Sequence, residues 1–169
     1  MTSFDDPDKT HTYAETGEYT VVVFGLLQGL SSSDDESSFS ETDHASKLLR
    51  VPNLGNLGYT SLRNAFAYCG NLTQVDGGVT SSVTDMRRMF AGATSATPDT
   101  SNWDTSQVMD MSYLFYEAQL ANPDVSNWDT SSVTSMGGVF SYATSANPNV
   151  SGWDTSSVTS MVSMFSNAA

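Results

Sequence analysis

"WDTSSVTSM" occupies residues 128–136 and returns unchanged at 153–161, and a near copy, "WDTSQVMDM", stands at 103–111. A nonamer reprinted at a fixed interval marks a repeat architecture, which has to be read before any local structure. Working outward from it, Val83, Val108, Val133 and Val158 follow one another at steps of 25. The other apolar columns keep step. They are Met86, Met111, Met136 and Met161; Met89, Leu114, Val139 and Met164; Phe90, Phe115, Phe140 and Phe165; Ala93, Ala118, Ala143 and Ala168; and Trp103, Trp128 and Trp153. One unit cannot bury its own apolar face, so consecutive units must stack and share a core.

Within a unit, Val133, Met136, Val139, Phe140 and Ala143 fall at i, i+3, i+6, i+7 and i+10. That stripe predicts a short helix, started by a cap at Ser132 or Thr134. The following "ANPDVSNWDTSS" (121–132) predicts a turn, a short strand around Val125 and Trp128, and a second turn. The expected architecture is an α/β solenoid with one short helix and one short strand per coil. At about 4.8 Å per strand, its three and a half units rise about 17 Å.

The organisation follows from the columns. Residues 83–169 hold three and a half repeats, and 58–82 read as a degenerate first coil. There Leu62, Ala65, Phe66 and Cys69 sit 24 residues before Met86, Met89, Phe90 and Ala93, and Gly78 stands in the Trp column. Residues 1–57 form the expected N-terminal cap. It comprises a β-hairpin at "HTYAETGEYTVVVF" (11–24), turning at Gly17, and an acidic loop, "QGLSSSDDESSFSETDHASK" (28–47).

Nineteen acids against six basic residues give a net charge of -13. The acidity is spread along the chain, and only Arg87 and Arg88 are adjacent, so neither nucleic acid nor an anionic membrane surface is an expected partner. The best apolar run, "YTVVVFGLL" (19–27), is too short to span a bilayer. Such acidity suits an extracellular protein in a salty or calcium-containing medium. The acidic N-terminus is unlike a signal peptide, and the chain stops in mid-motif at "MFSNAA". The expectation is a piece of a longer protein whose last layer, Met161, Met164 and Phe165, is uncovered and pairs end to end in dimers through the C-terminal coil. Cys69, the single cysteine, excludes a disulfide framework and reads as a small buried hydrophobe.

Catalysis has little to work with. His11 and His44 lie in no metalloprotease pattern, and the chain has no nucleophile elbow or phosphate loop. No enzyme and no cofactor are expected. The candidate binding residues come from the repeat. Asp104, Asp129 and Asp154 stack in one column, Asp99, Asp124 and Asn149 in another, with Asn102, Asn127, Thr105, Thr130 and Thr155 beside them. Like charges at strand spacing need hydrogen bonds or a cation. Either each Asp accepts a backbone N–H two residues on, or the ladder holds structural calcium or a polar ligand. Tyr113, Tyr116 and Tyr142 stand where other coils carry Gly, Ser or Arg, so packing does not require aromatics there. They form the alternative contact face.

The units "VTDMRRMFAGATSATPDTSNWDTSQ", "VMDMSYLFYEAQLANPDVSNWDTSS" and "VTSMGGVFSYATSANPNVSGWDTSS" resemble the BspA-like leucine-rich repeats of bacterial surface proteins, and "HTYAETGEYTVVV" is similar to the last strands of PKD-type modules. The resemblance implies a right-handed leucine-rich-repeat-like solenoid with a β cap, displayed on a cell surface. It also implies adhesion, with a cell-surface glycan, protein or peptide as partner. A structural spacer without its own ligand is the alternative.

Overall fold

The computed structural model describes residues 48–56 and 58–169; the expected β-hairpin and acidic loop lie outside them. The helix-plus-strand solenoid does not form. Among the described residues there is no helix, and the two strands, β1 (Arg50–Val51) and β2 (Gln74–Val75), are two residues each, paired in parallel with Arg50 opposite Gln74 and Val51 opposite Val75.

The backbone shows why the apolar stripe did not become a helix. Left-handed residues recur every fourth position: Arg88 and Gly92, Tyr113 and Glu117, Gly138 and Tyr142, Ser163 and Asn167, all with φ between 55° and 69°. A right-handed helix cannot pass through such residues. The amides split their bonding instead. Met136, Gly138, Phe140 and Tyr142 donate to Ser160, Val162, Met164 and Ser166 of the next unit, while Ser141 and Ala143 donate three residues back to Gly138 and Phe140. Tight turns thus deliver the same side chains inward that a helix would have, and spend half their donors on the neighbouring layer. The anticipated strand at Val125–Trp128 is likewise a turn, closed by Trp128 N–H donating to the Val125 carbonyl at 3.2 Å.

Successive units therefore lie one on another as turn-built layers. Single parallel bridges link Ser61, Asp85, Asp110, Ser135 and Ser160 in sequence. The apolar columns run through the middle. Phe66, Phe90, Phe115, Phe140 and Phe165 stack with ring centroids 5.4 to 5.6 Å apart. Trp103, Trp128 and Trp153 stack nearly parallel at 6.2 to 6.3 Å. The Val, Met and Ala columns of the inner layers are fully buried beside them. At the N-terminal end, Leu54 covers the place of the absent Trp: a Cβ on Gly78, at φ +100°, would meet the Leu54 Cβ at 2.6 Å. In the last layer Met161, Val162 and Phe165 are exposed. Cys69 is buried, and that burial pushes its thiol up to about 11, so it is an inert core group.

Candidate ligand-contact surface

The threonines and aspartates of "WDTS" are engaged with the fold itself. Thr105 and Thr130 are buried, and their hydroxyls donate to the carbonyls of Asp129 and Asp154 in the next layer, both at 2.9 Å. Thr80 does the same for Asp104 at 3.0 Å, whereas Thr155 is exposed in the last layer. Each aspartate turns onto the serine two residues later. Oδ1 of Asp104 accepts from both the amide and the hydroxyl of Ser106, at 3.0 and 2.7 Å, and Asp129 does so with Ser131 at 3.0 and 2.6 Å. The Asp154 carboxylate accepts from the Ser156 amide at 2.9 Å. Asp99, Asp124 and Asn149 repeat the device with Ser101, Ser126 and Ser151. These are Asx-turns. Asn102 and Asn127 are exposed beside them. No group of three or more His, Cys, Asp or Glu side chains that could hold a metal occurs among the described residues.

The same bonds set the charge state of the columns. Hydrogen bonds from Ser106 hold the Asp104 carboxyl below its usual value, outweighing the opposing influences of burial and of Asp129. Asp99, Asp124, Asp129 and Asp154 are held low by their own serines. A carboxyl whose folded pKa is depressed adds stability above its unfolded pKa, and that stability is lost as pH falls through the folded value. The melting temperature is therefore expected to be level from neutral pH down to about pH 5 and to fall below about pH 4, where ordinary carboxyls titrate. Asn149 already fills an Asp slot with the same geometry. Asp129→Asn should accordingly leave the melting temperature at neutral pH little changed, as ordinary surface substitutions do, and remove its share of the acid-side loss. Thermal melts from pH 7 to pH 3 check both; a costly Asp129→Asn at pH 7 would show that the negative charge itself is needed.

The tyrosines form a different kind of surface. Tyr113 meets Tyr116 edge-on at 5.8 Å, and Tyr116 meets Tyr142 edge-on at 5.9 Å. The Arg88 guanidinium lies over the Tyr113 ring, 5.3 Å from its centroid, a cation–π contact. Tyr68 reaches the same cluster from the first coil. It passes over Gly92, where a Cβ would sit 2.6 Å from its Cδ1, and both Arg88 and Glu117 influence its hydroxyl. Tyr113 crosses Gly138 in the same way. The Tyr116 phenol is pushed up to about 12, first by its hydrogen bond to the Glu117 carboxylate, then by burial and by Glu117, Tyr142 and Tyr68 nearby. It stays protonated at physiological pH. Tyr113 and Tyr142 are 38% and 46% exposed.

Backbone geometry constrains these positions. Tyr68, Tyr113 and Tyr142 occupy left-handed positions, with φ near +60°, in the two columns where Gly92 and Gly138 also sit. Glycine enters that region without steric penalty, while a bulky residue there costs about 1–2 kcal/mol. Asn64, Arg88, Glu117, Ser163 and Asn167 carry the same backbone in these columns, so the left-handed turn belongs to every layer and the tyrosines are one of several residue types that fill it.

Two exposed residues that the tyrosine comparison passed over belong to the same unit. Met109, 51% exposed, stands in a column of Thr84, Thr134 and Thr159; Leu120, 55% exposed, stands where other coils carry Ser95 and Ser145. Comparing repeat columns, the test that singled out the tyrosines, would have found both. Leu120 also forms one wall of a shallow groove of about 530 Å3, otherwise lined chiefly by Thr73, Gln74, Asp76, Asp99 and Asn122. The groove joins coils that are far apart in sequence, so linear reading had no signal for it.

No curated protein and no solved structure matches the chain. Residues 60–169, the stacked layers from the first coil onward and more than half of the sequence, match the model of the family described as Mycoplasma protein of unknown function, DUF285, and the chain belongs to that family.

Proposed function

We propose that the chain is a non-catalytic ligand-binding module of a larger bacterial surface protein, acting in adhesion, with the tyrosine surface as its contact face. One observation carries the reading. The unit 108–132 keeps the core columns of its neighbours and departs from them outside the core, at the exposed Met109, Tyr113 and Leu120 and at the half-buried Tyr116, against which Tyr142 of the next unit packs. Positions that all coils share are explained by stacking; these departures are not. Aromatic side chains are the commonest anchors of recognition surfaces, because they contribute large contact area at small entropic cost. The BspA-like character of the repeat columns supports a cell-surface setting, with a glycan, peptide or protein partner.

The test borrows residues from the last layer, where Ser163 and Asn167 fill the slots of Tyr113 and Tyr142 with the same left-handed backbone. The double variant Tyr113→Ser/Tyr142→Asn should fold normally. It should lose at least about tenfold in binding to whole cells, glycans or peptides that the parent chain retains. Asp129→Asn, which leaves the tyrosines untouched, should bind as the parent does. A parent chain that retains none of these probes would identify a spacer that only extends its parent protein, and a double variant that binds equally well would move the contact face away from the tyrosines.

A further inference from the structure

The amides at the tyrosine surface are already committed. Tyr113 N–H donates to the Gly137 carbonyl at 2.8 Å, Tyr116 to Tyr113 at 3.1 Å, Glu117 to Ser141 at 2.9 Å and Tyr142 to Ser166 at 2.8 Å. A peptide that binds by strand addition needs unpaired main-chain groups, and of these four amides three are spent on the next layer and one on its own turn. The surface offers rings and hydroxyls instead. Its charged members are one cation, Arg88, and one anion, Glu117, which act in opposite directions on the Tyr68 hydroxyl. The patch is thus close to neutral on a chain of net charge -13, whose field repels anions at long range. Glu117 adds a local acceptor, and Arg88, held over Tyr113, supplies the balancing positive charge.

The complementary ligand has apolar C–H faces for the rings, hydroxyls that both donate to a carboxylate and accept from phenols, and no net charge. We propose that the Tyr113–Tyr116–Tyr142 surface, flanked by Arg88 and Glu117, binds an uncharged saccharide. A pyranose ring lies against the exposed Tyr142 ring, and its hydroxyls share hydrogen bonds with Glu117 and the phenols. The assignment rests on the reading of this surface as the contact face and adds the class of ligand.

The experiment presents the chain to immobilised neutral oligosaccharides, to their sialylated and sulfated counterparts, and to unstructured and proline-rich peptides, at low and high salt. Retention on neutral oligosaccharides, insensitive to salt, is expected. It should fall at least about tenfold in Tyr142→Asn and about as far in Glu117→Gln, which keeps the size of the side chain but weakens the acceptor. Asp129→Asn, with melting temperatures as the folding control, should retain the parent affinity. Tyrosine-dependent binding confined to peptides, or to sialylated or sulfated glycans with a steep loss in salt, would overturn the saccharide while leaving the contact face in place. Binding that no tyrosine substitution alters would overturn both.

Discussion

Phe115→Ala is expected to cost about 3–5 kcal/mol, the range for truncating a fully buried aromatic. Phe115 is completely buried and lies between Phe90, 5.4 Å away, and Phe140, 5.6 Å away, both nearly parallel to it. Its loss leaves a hole in the middle of the column and removes two ring contacts at once. Against a total stability of about 5–15 kcal/mol for a domain, this is a large fraction. The melting temperature should drop by roughly 10–20 °C. In a stack where each layer touches only its neighbours, a break at the centre also weakens the coupling between the two halves, so the transition should broaden or split. Phe165→Ala is the control. Phe165 is 45% exposed and stacks on Phe140 alone, so its removal should cost about 1 kcal/mol. Calorimetry on both variants decides: equal losses would mean that the phenylalanines do not act as one continuous core.

Gly138→Ala should cost about 2–4 kcal/mol, from two separable causes. The residue has φ +64°, so any side chain pays about 1 kcal/mol for the left-handed backbone. A Cβ there would also lie 2.6 and 2.7 Å from Cδ1 and Cε1 of Tyr113, an overlap that forces the ring or the backbone to move, at about 1–3 kcal/mol. A double-mutant cycle separates the two. In a Tyr113→Ser background the overlap is gone, so Gly138→Ala should cost only about 1 kcal/mol, a coupling of about 1–3 kcal/mol. Gly137→Ala, whose Cβ would meet no atom closer than 3.6 Å, should be nearly silent. Urea unfolding of the four cycle members measures the coupling; a zero value would mean that Tyr113 does not rest on Gly138. Because Gly138→Ala displaces the ring, it should also weaken whatever the tyrosine surface binds.

Much of the interior was legible in the chain because stacking forces equivalence. Phe90, Phe115 and Phe140 are identical since each must present the same ring to the layers above and below. The Asp columns were open to two readings, and their geometry was within reach, since Asp104 bonds to a residue only two positions away. The helix was not within reach. Val133, Met136, Val139, Phe140 and Ala143 carry a helical spacing, but period alone cannot distinguish one right-handed helix from tight turns that return the same residues inward. The discriminating quantity is the φ of Gly138 and Tyr142, and nothing in a single repeat reports that a tyrosine is left-handed. Columns did carry a hint, since Tyr142 shares its slot with Gly92 and Asn167, the two residue types that enter that region most easily.

The sequence by itself determined the period of 25, the identity of the core columns and the set of residues that packing does not need. Those properties depend on repetition, which is written in one dimension. Only the tertiary structure decided that half the amides of each turn bond to the next layer, that Thr105 and Thr130 are buried struts rather than a binding ladder, and that Tyr68, Tyr113, Tyr116 and Tyr142 converge across Gly92 and Gly138. Each of these depends on where one layer comes to rest on another, through contacts between residues some 25 positions apart that neither segment specifies alone.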